Sequence, residues 1–209
     1  MQDYYAARAK KYDQVYNKPE RQSDLRHMEA WLPKALTGRN VLELACGTGY
    51  WTQFYAPAAR QVVGIDSSRE TLDIAQARIP ANVQLLEGDA YHLPPLDISF
   101  DACFAGFWWS HIPLQRIPAF LESLHASLQP GAKVIFMDNR FVQGSSTPIS
   151  ERTEEGNTYQ QRSLDDGSIH RVLKNFPNAD ELLRNIEPYS NEASYRQWPY
   201  FWALEYTLK

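Results

Sequence analysis

Three acidic residues accompany three apolar segments in the first half of the sequence, and a glycine-rich loop follows the first segment. Glu43 lies within VLELA, Asp66 ends QVVGID, and Asp89 ends NVQLLEGD. A carboxylate accepts hydrogen bonds from hydroxyl and amine groups. The three acids therefore predict a site for a ligand that offers hydroxyl groups, an amine or positive charge.

The loop at residues 45–49, ACGTG, narrows the class of ligand. A dinucleotide fingerprint would have a third glycine after Gly47 and Gly49, but Thr52 stands at that position. A Walker loop would end in Gly-Lys-Ser or Gly-Lys-Thr, and this loop has no lysine. Its small residues predict instead a ligand that lies directly on the backbone.

Apolar segments that alternate with helical patterns predict an α/β fold. Leu25, Met28, Leu32 and Leu36 recur at intervals of three and four, which is typical of one apolar helix face. Strands are predicted in NVLELAC, QVVGID, NVQLLEGD, SFDACFAGF and AKVIFMDN. Near-continuous apolar strands are typical of a parallel sheet covered on both faces, with ligands at the carboxyl ends of the strands.

Local patterns predict where several helices begin and end. Ser67 and Glu70 have the spacing of a capping box at the start of the helix after QVVGID. A later helix has an apolar side that runs from Leu114 to Leu128 and is closed by the sequence QPG. Asn178 with Glu181 repeats the capping spacing before a last helix and two C-terminal strands.

The regular alternation ends after Asn139. The sequence RFVQGSSTPISERTEEGN is typical of a loop, and TYQQRSLDDGSIHRVLKNF predicts a hairpin that turns at Asp166-Gly167. We interpret this region as a cap over the pocket. Residues 139–176 contain five basic and five acidic residues, a balance that indicates no anionic substrate.

Composition disfavours several functional classes. The chain has 209 residues, 44% of them hydrophobic, which is ample for one sizeable core. Its net charge of -4 argues against nucleic-acid partners, which require a basic face. No segment resembles a signal peptide or a membrane span, so we expect a cytoplasmic protein. Cys46 and Cys103 lack the spacing of a metal site, so we expect buried free thiols and no metal.

Four motifs, VLELACGTG, VVGIDSS, LLEGDAYHLP and LQPGAKVIF, resemble in order and spacing those of class I S-adenosylmethionine (SAM)-dependent methyltransferases. The resemblance covers about residues 4–136 and implies SAM as the cofactor. It implies a doubly wound, mostly parallel seven-stranded sheet of the Rossmann-like methyltransferase fold, with an N-terminal helical lid and a small β-hairpin cap. We expect one domain, divided into a lid (1–37), a cofactor-binding core (38–139), the cap (140–176) and the last helix with C-terminal strands (177–209).

The resemblance also implies roles for individual residues. Residues 43–49 would face the methionine part of SAM, Asp66 would bind the ribose, and Asp89 with Ala90 would bind the adenine. The family usually has glycine at the position of Ala45. The predicted cofactor-binding residues are Tyr12, Glu43, Ala45, Cys46, Gly47, Gly49, Trp51, Asp66, Ser67, Asp89, Ala90 and Ala105.

The acceptor side of the site is predicted in GFWWSHIP, residues 106–113, just after the fourth strand. Its aromatic rings could stack on a flat acceptor or face a cation, or they could simply pack in the core. His111 is the candidate general base, because the imidazole pKa lies near neutrality. The predicted substrate contacts are Tyr4, Tyr5, Trp108, Trp109, Asn139 and Tyr159.

The predicted reaction is in-line methyl transfer to oxygen or nitrogen of a small-molecule acceptor, which mainly requires correct placement of the acceptor atom. An RNA or protein methyltransferase, a non-catalytic SAM-binding module and an NAD(P)-dependent oxidoreductase are the alternatives. The sequence lacks the Asn/Asp-Pro-Pro-aromatic motif of amino-directed nucleic-acid enzymes and the Tyr-x-x-x-Lys pair of an oxidoreductase. An aminopropyl transferase would have a more glycine-rich loop. The sequence predicts neither the identity of the acceptor nor the oligomeric state.

Overall fold

The computed structural model describes residues 8–209, apart from the side chains of residues 10–12. The strands of this part of the chain are β1 Asn40–Leu44, β2 Gln61–Asp66, β3 Val83–Glu87, β4 Phe100–Gly106, β5 Leu128–Asn139, β6 Glu151–Arg152, β7 Thr158–Ser163, β8 Ile169–Leu173, β9 Ser190–Gln197 and β10 Phe201–Leu208. The α-helices are α1 Gln22–Leu36, α2 Thr52–Tyr55, α3 Arg69–Gln76, α4 Ile117–His125 and α5 Ala179–Ile186. Short 3₁₀ helices span Ala9–Tyr16, Pro19–Arg21, Trp109–His111 and Leu114–Arg116.

A seven-stranded sheet has the strand order β3-β2-β1-β4-β5-β10-β9. Strands β1 to β5 run parallel, and β10 pairs antiparallel with both β5 and β9. This confirms the predicted doubly wound, mostly parallel seven-stranded sheet. The strand order reverses between β1 and β4, and ligands of such sheets bind in the crevice at that point.

The strands β1, β2, β4, β5 and β10 contribute side chains to two apolar layers, one on each face of the sheet. Leu42 and Leu44 of β1 pack in the layer that contains α4 and α5. Val41 of the same strand packs in the layer that contains α1 and α2. Because successive side chains of a strand point to opposite faces, burial on both sides produces the continuous apolar runs seen in the sequence.

Two predicted helix boundaries are wrong. The N-cap of α3 is Ser68, whose hydroxyl accepts from the Thr71 amide, so the helix begins one residue later than Ser67 predicts. Leu128 is the first residue of β5, because α4 ends at His125 and Leu128 pairs with Phe100 of β4. The capping box of Asn178 and Glu181 is present at the start of α5, as predicted.

The cap contains the predicted hairpin and one further strand. Strands β7 and β8 pair antiparallel, and Gly167 in the turn between them has a φ of 83°. Strand β6 pairs with the other edge of β7. Its two residues are too few to show an alternating pattern, which is why the sequence of this region is typical of a loop.

The segment Ala9–Tyr16 packs against the glycine-rich loop. The carboxylate of Asp13 accepts hydrogen bonds from the Thr48 hydroxyl at 2.6 Å and from Arg78 at 2.7 Å. The ring of Tyr16 stacks on Tyr50 with ring centroids 3.8 Å apart. These contacts place the N-terminal segment beside the carboxyl ends of the strands.

A buried ion pair joins the cap to the central sheet. Lys174, directly after β8, lies 2.9 Å from Asp138 of β5, and their side chains are 6% and 0% exposed. Burial by itself would raise the pKa of Asp138, but the Lys174 ammonium and the Ser110 amide lower it below its usual value. The carboxylate is therefore ionised at neutral pH, and its pairing with Lys174 fixes the end of the cap on the sheet.

Two further expectations concern the cysteines and the membrane. Cys46 and Cys103 are both buried and free, as predicted. The helices of the described residues are all too short or too polar to cross a membrane.

We expect Lys174→Met to lower the free energy of unfolding by about 3–5 kcal/mol, because it leaves the buried Asp138 carboxylate without its counter-charge. The matched control is Lys133→Met, which removes the pairing of Lys133 with Glu205, where the side chains are 25% and 21% exposed. That control should cost at most about 1 kcal/mol. Urea denaturation at pH 7 measures both losses, and equal losses would contradict the role of Lys174.

Candidate cofactor and acceptor site

A cavity of about 310 Å³ lies at the carboxyl ends of β1, β2 and β4, where the strand order reverses. Many residues predicted for the site contribute to its walls: Ala45, Gly47, Asp66, Ser67, Asp89, Ala90, Trp108 and His111. Phe107, one of the predicted aromatic rings, also contributes, whereas Ile65, Tyr91 and Arg116 are wall residues that no sequence pattern indicated. The sequence motifs and the topology therefore converge on one cavity.

Asp66 connects the glycine-rich loop to the start of α3. One carboxylate oxygen accepts from the Gly47 amide at 2.8 Å, and the other accepts from the Ser68 amide at 2.9 Å. The hydroxyl of Thr71 donates to the second oxygen at 3.1 Å. Burial raises the pKa of Asp66, although these hydrogen bonds oppose the effect. A carboxylate has about four acceptor sites and three are occupied here, so Asp66 can accept about one further hydrogen bond from a ligand in the cavity.

Gly47 and Gly49 have different structural reasons for being glycine. Both have positive φ angles, 55° and 70°. A Cβ atom at Gly49 would lie 3.1 Å from the Cβ of Ala75, so this glycine allows the loop to pack closely on α3. A Cβ at Gly47 would have no described atom within 4 Å, and Gly47 lines the cavity. Gly47 therefore leaves space for a ligand on the backbone.

Two non-glycine residues with positive φ border the same cavity. Ala45 follows β1 with a φ of 52°, and Phe107 follows β4 with a φ of 61°. The left-handed conformation costs an L-residue about 1–2 kcal/mol. This cost is a physical reason for the glycine that the resemblance implies at the position of Ala45.

One end of the cavity combines an acid with aromatic rings. Asp89 accepts from the Tyr91 amide at 2.9 Å and lies 3.0 Å from a ring nitrogen of His92. The ring of Tyr91 contacts Trp108 edge to face, and the Arg116 guanidinium lies 3.7 Å from the Tyr91 ring centroid. Flat apolar walls beside a hydrogen-bond acceptor suit a heterocycle that carries an amine.

Glu43 lies behind the glycine-rich loop. Its side chain points to the same face of β1 as Val41, and one carboxylate oxygen accepts from Thr52 at 2.7 Å and Tyr55 at 2.8 Å. Burial raises the pKa of Glu43 to about 7. The carboxyl group thus holds α2 against β1, and the predicted contact with the methionine part of SAM stays a prediction.

Several other predicted residues pack behind the walls of the cavity. Cys46 packs against Gly64, Ala105 is fully buried within β4, and Gly49 contacts α3. The indole of Trp51 donates to the Tyr16 hydroxyl at 3.2 Å. Trp109 is only 1% exposed and packs edge to face on Phe136. The structure places Trp109 in the core, whereas its neighbour Trp108 reaches the cavity.

A larger cavity of about 840 Å³ lies between the N-terminal segment, the sheet and the cap. Phe107 and His111 line both cavities and form the junction between them. Asn139 lines the larger cavity, as predicted. Tyr159 does not contribute to its lining, because the strand alternation turns it away from the buried Gln160, and its ring lies under the Arg171 guanidinium.

His111 has a fixed tautomer at this junction. Its Nδ1 lies 2.7 Å from the carbonyl oxygen of Leu173. A carbonyl oxygen can only accept, so Nδ1 carries the hydrogen and Nε2 carries the lone pair. Burial lowers the pKa of His111 well below its usual value, and the charge of Lys174 lowers it further. The ring is therefore neutral at physiological pH and has the basic nitrogen that proton abstraction requires.

Three predicted contacts cannot be placed. Tyr4 and Tyr5 lie outside the described residues, as does the side chain of Tyr12. Their assignments to substrate and cofactor stay predictions.

The chain is similar in sequence to known methyltransferases. A family model described as a methyltransferase domain matches residues 41–131. Demethylmenaquinone methyltransferase of Staphylococcus epidermidis is 34% identical over 109 residues, which cover 48% of this chain and 43% of that enzyme. Malonyl-[acyl-carrier protein] O-methyltransferase of Pectobacterium atrosepticum is 27% identical over 174 residues, covering 75% of this chain and 66% of that enzyme. The chain thus spans less than two thirds of the length of these relatives.

Solved structures extend the similarity to nearly the whole chain. A complex of DhpI with SAH is 30% identical, with a TM-score of 0.80, and the alignment covers 98% of this chain and 93% of DhpI. A DhpI–SAM–HEP complex is 29% identical with the same TM-score, covering 97% and 94% of the two chains.

The two loop glycines allow a matched test of the cavity. We expect Gly47→Ala to weaken SAH binding about tenfold or more, because the new Cβ enters the cavity. Gly49→Ala should instead lower the free energy of unfolding by about 1–3 kcal/mol more than Gly47→Ala, because its Cβ is overpacked against Ala75. Both substitutions introduce strain at a positive φ, so a difference between the two variants reports what the new Cβ atom contacts. Calorimetric titration and urea denaturation measure the two effects, and a larger loss of SAH affinity in Gly49→Ala would refute the assignment.

The 310 Å³ cavity has the features that SAM requires. Gly47 opens the backbone to the ligand, Asp66 offers acceptors at the end of β2, and Asp89 lies beside flat apolar walls. These features, the family model and the DhpI complexes agree. The chain belongs to the class I SAM-dependent methyltransferases, and SAM is its cofactor.

Proposed function

We propose that this enzyme transfers the methyl group of SAM to an oxygen or nitrogen atom of a small-molecule acceptor bound in the larger cavity. The observation that supports the proposal is the junction at Phe107 and His111, where a cavity of about 840 Å³ meets the cofactor cavity. This volume falls within the usual range of small-molecule sites. The cap and the N-terminal segment line this cavity from two sides, which favours a small acceptor over a macromolecular substrate.

The relatives support an acceptor of this kind. They are named for demethylmenaquinone and for malonyl-[acyl-carrier protein], and DhpI forms a complex that contains SAM and HEP. For the present chain, we infer the chemistry of the acceptor from the residues of its own cavity and not from these names.

Within the cofactor cavity, Gly47, Asp66, Ser67 and Ala90 would hold SAM, which supplies an electrophilic methyl group when bound. Phe107 and Trp108 place aromatic surface at the wall of the cavity. Aromatic faces attract a cation such as a sulfonium, and their bulk keeps water away from it.

At the junction, His111 would take up the proton that a hydroxyl or amine acceptor loses on methylation. The hydrogen bond from Nδ1 to Leu173 holds the lone pair on Nε2, and both cavities meet at this ring. An acceptor in the larger cavity would place its reacting atom between His111 and the cofactor. Positioning of this kind accounts for most of the catalysis in a direct displacement.

The test is transfer of label from methyl-labelled SAM into a cell extract that is separated by size. We expect the label in the low-mass fraction. Label confined to RNA or protein would overturn the proposal in favour of a macromolecular acceptor. Absence of label from every fraction, in a protein that binds SAH, would favour a non-catalytic SAM-binding module.

Asp66→Ala should weaken SAH binding by about 1–3 kcal/mol, because it removes a buried hydrogen-bonding partner of the proposed ribose site. Asp73→Ala is the matched control, since Asp73 lies on α3 and forms an exposed pair with Arg69. Calorimetric titration of both variants with SAH measures the effect. Unchanged affinity in Asp66→Ala would refute the ribose assignment.

His111→Ala should reduce kcat about 100-fold or more if His111 is the general base. Because the pKa of His111 is lowered, the wild-type rate should stay level from pH 8 to 6.5 and fall only at more acidic pH. Alkaline pH should restore part of the activity of the variant. Steady-state rates with the acceptor found by labelling measure these effects.

The control for this prediction is His125→Ala. His125 is also partly buried, with its pKa lowered to about 4, but its ring contacts Tyr206 away from both cavities. Its loss should leave kcat within about twofold of wild type. A comparably small effect in His111→Ala would reject the general-base role.

A further inference from the structure

The lining of the larger cavity carries an excess of positive charge. Arg8, Lys18, Arg21, Arg162 and Lys174 line it, together with Asp165 and Asp166. The balanced composition of residues 139–176 concealed this excess, because the first three of these cations come from the N-terminal segment. The sequence-based expectation against an anionic substrate therefore needs revision.

Some of these cations hydrogen-bond only to neutral groups, and Arg21 is the most deeply buried of them. The residue is 7% exposed, and its Nε and Nη2 donate to the Ser145 hydroxyl at 3.2 and 3.0 Å. Its Nη1 donates to the Asn139 side chain at 3.2 Å, and the guanidinium lies 5.5 Å from the Tyr200 ring centroid. The hydrogen-bonding partners of the guanidinium are neutral, and the carboxylates of Glu20 and Asp24 act on it from farther away. An anion in direct contact would stabilise this buried charge further.

Lys18 and Arg162 extend the positive surface from two sides. Lys18 donates to the backbone carbonyl of Ser145. Arg162 donates through Nε and Nη2 to the side-chain oxygen of Gln160, at 3.2 and 2.7 Å. Lys174 differs from these residues, because its charge is paired with Asp138. Lys18, Arg21 and Arg162, hereafter the basic cluster, are thus held in place by neutral oxygens.

The positive charge extends to the junction with the cofactor cavity. Besides burial, the charges of Lys174 and Arg162 lower the pKa of His111. Arg162 therefore acts electrostatically on the ring where the acceptor atom would react. The basic cluster belongs to the same binding space as the junction.

We propose, on the basis of the function proposed above, that the methyl acceptor carries an oxyanion, either a carboxylate or a phosphorus oxyanion, that binds to the basic cluster. Guanidinium groups recognise both kinds of oxyanion through paired N–H donors, and an ammonium adds a point charge. The reacting atom of the acceptor then extends toward Phe107 and His111. The anion supplies a counter-charge in direct contact with Arg21, in addition to the more distant Glu20 and Asp24.

The test measures the melting temperature of the SAH-bound protein, at constant ionic strength, with inorganic phosphate, acetate or acetamide. An anion that binds the folded state raises the melting temperature by mass action. We expect phosphate, acetate or both to raise it, and the neutral acetamide to leave it unchanged. A shift with phosphate alone assigns a phosphorus oxyanion, and a shift with acetate alone assigns a carboxylate.

Arg162→Gln should weaken the apparent affinity for the oxyanion about tenfold or more. This substitution is preferable to one at the buried Arg21, which also supports the fold through Ser145 and Asn139. The matched control is Arg171→Gln on the adjacent strand, because Arg171 pairs with Glu151 at 2.7 Å and does not contribute to the cavity lining. The control should retain the wild-type shift.

Two results would overturn the proposal: no shift with either oxyanion up to about 50 mM, or equal losses in the Arg162 and Arg171 variants. The measurement involves no methyl transfer. Its failure therefore rejects the oxyanion alone, whereas failure of label transfer rejects the proposed function.

Discussion

The buried ion pair of Lys174 and Asp138 is the interaction on which the larger cavity depends. It joins the end of the cap to β5, and the Ser110 amide donates to the same Asp138 carboxylate at 2.9 Å. The next residue along the chain, Asn175, donates its amide to the Ser110 carbonyl at 2.8 Å. This network holds the loop after β4 against the cap. The position of His111, its bond to Leu173 and the junction of the two cavities all follow from it.

The cofactor side depends on backbone geometry at the ends of two adjacent strands. Ala45 and Phe107 both adopt positive φ angles, one after β1 and one after β4, and both line the cofactor cavity. Such conformations persist only where the surroundings enforce them. Here the Asp66 carboxylate holds the loop amide at Gly47, and the Phe107 amide donates to the Met137 carbonyl at 2.6 Å. Strain is thus concentrated where the chain must turn sharply to open a cavity.

The two cavities have opposite electrostatic character. Carboxylates of Asp66 and Asp89 line the cofactor cavity, which suits the positively charged, hydroxylated SAM. The basic cluster lines the larger cavity, which suits the oxyanion that we propose. A cationic donor and an anionic acceptor would each bind on its own side and attract each other across Phe107 and His111. This arrangement would favour the encounter of the two reactants.

The sequence by itself determined the elements and the cofactor motifs, because these depend on local periodicity. The strands of the seven-stranded sheet, α1, the glycine-rich loop and Asp66 could be located from residues a few positions apart. Tertiary structure decided which side chains reach a cavity: it placed Trp108 there, and it placed Trp109 and Tyr159 elsewhere. It also brought Lys18 and Arg21 to Arg162, more than 140 positions away in the chain. No local pattern encodes such a contact, since it arises only when the N-terminal segment and the cap pack on the same edge of the sheet.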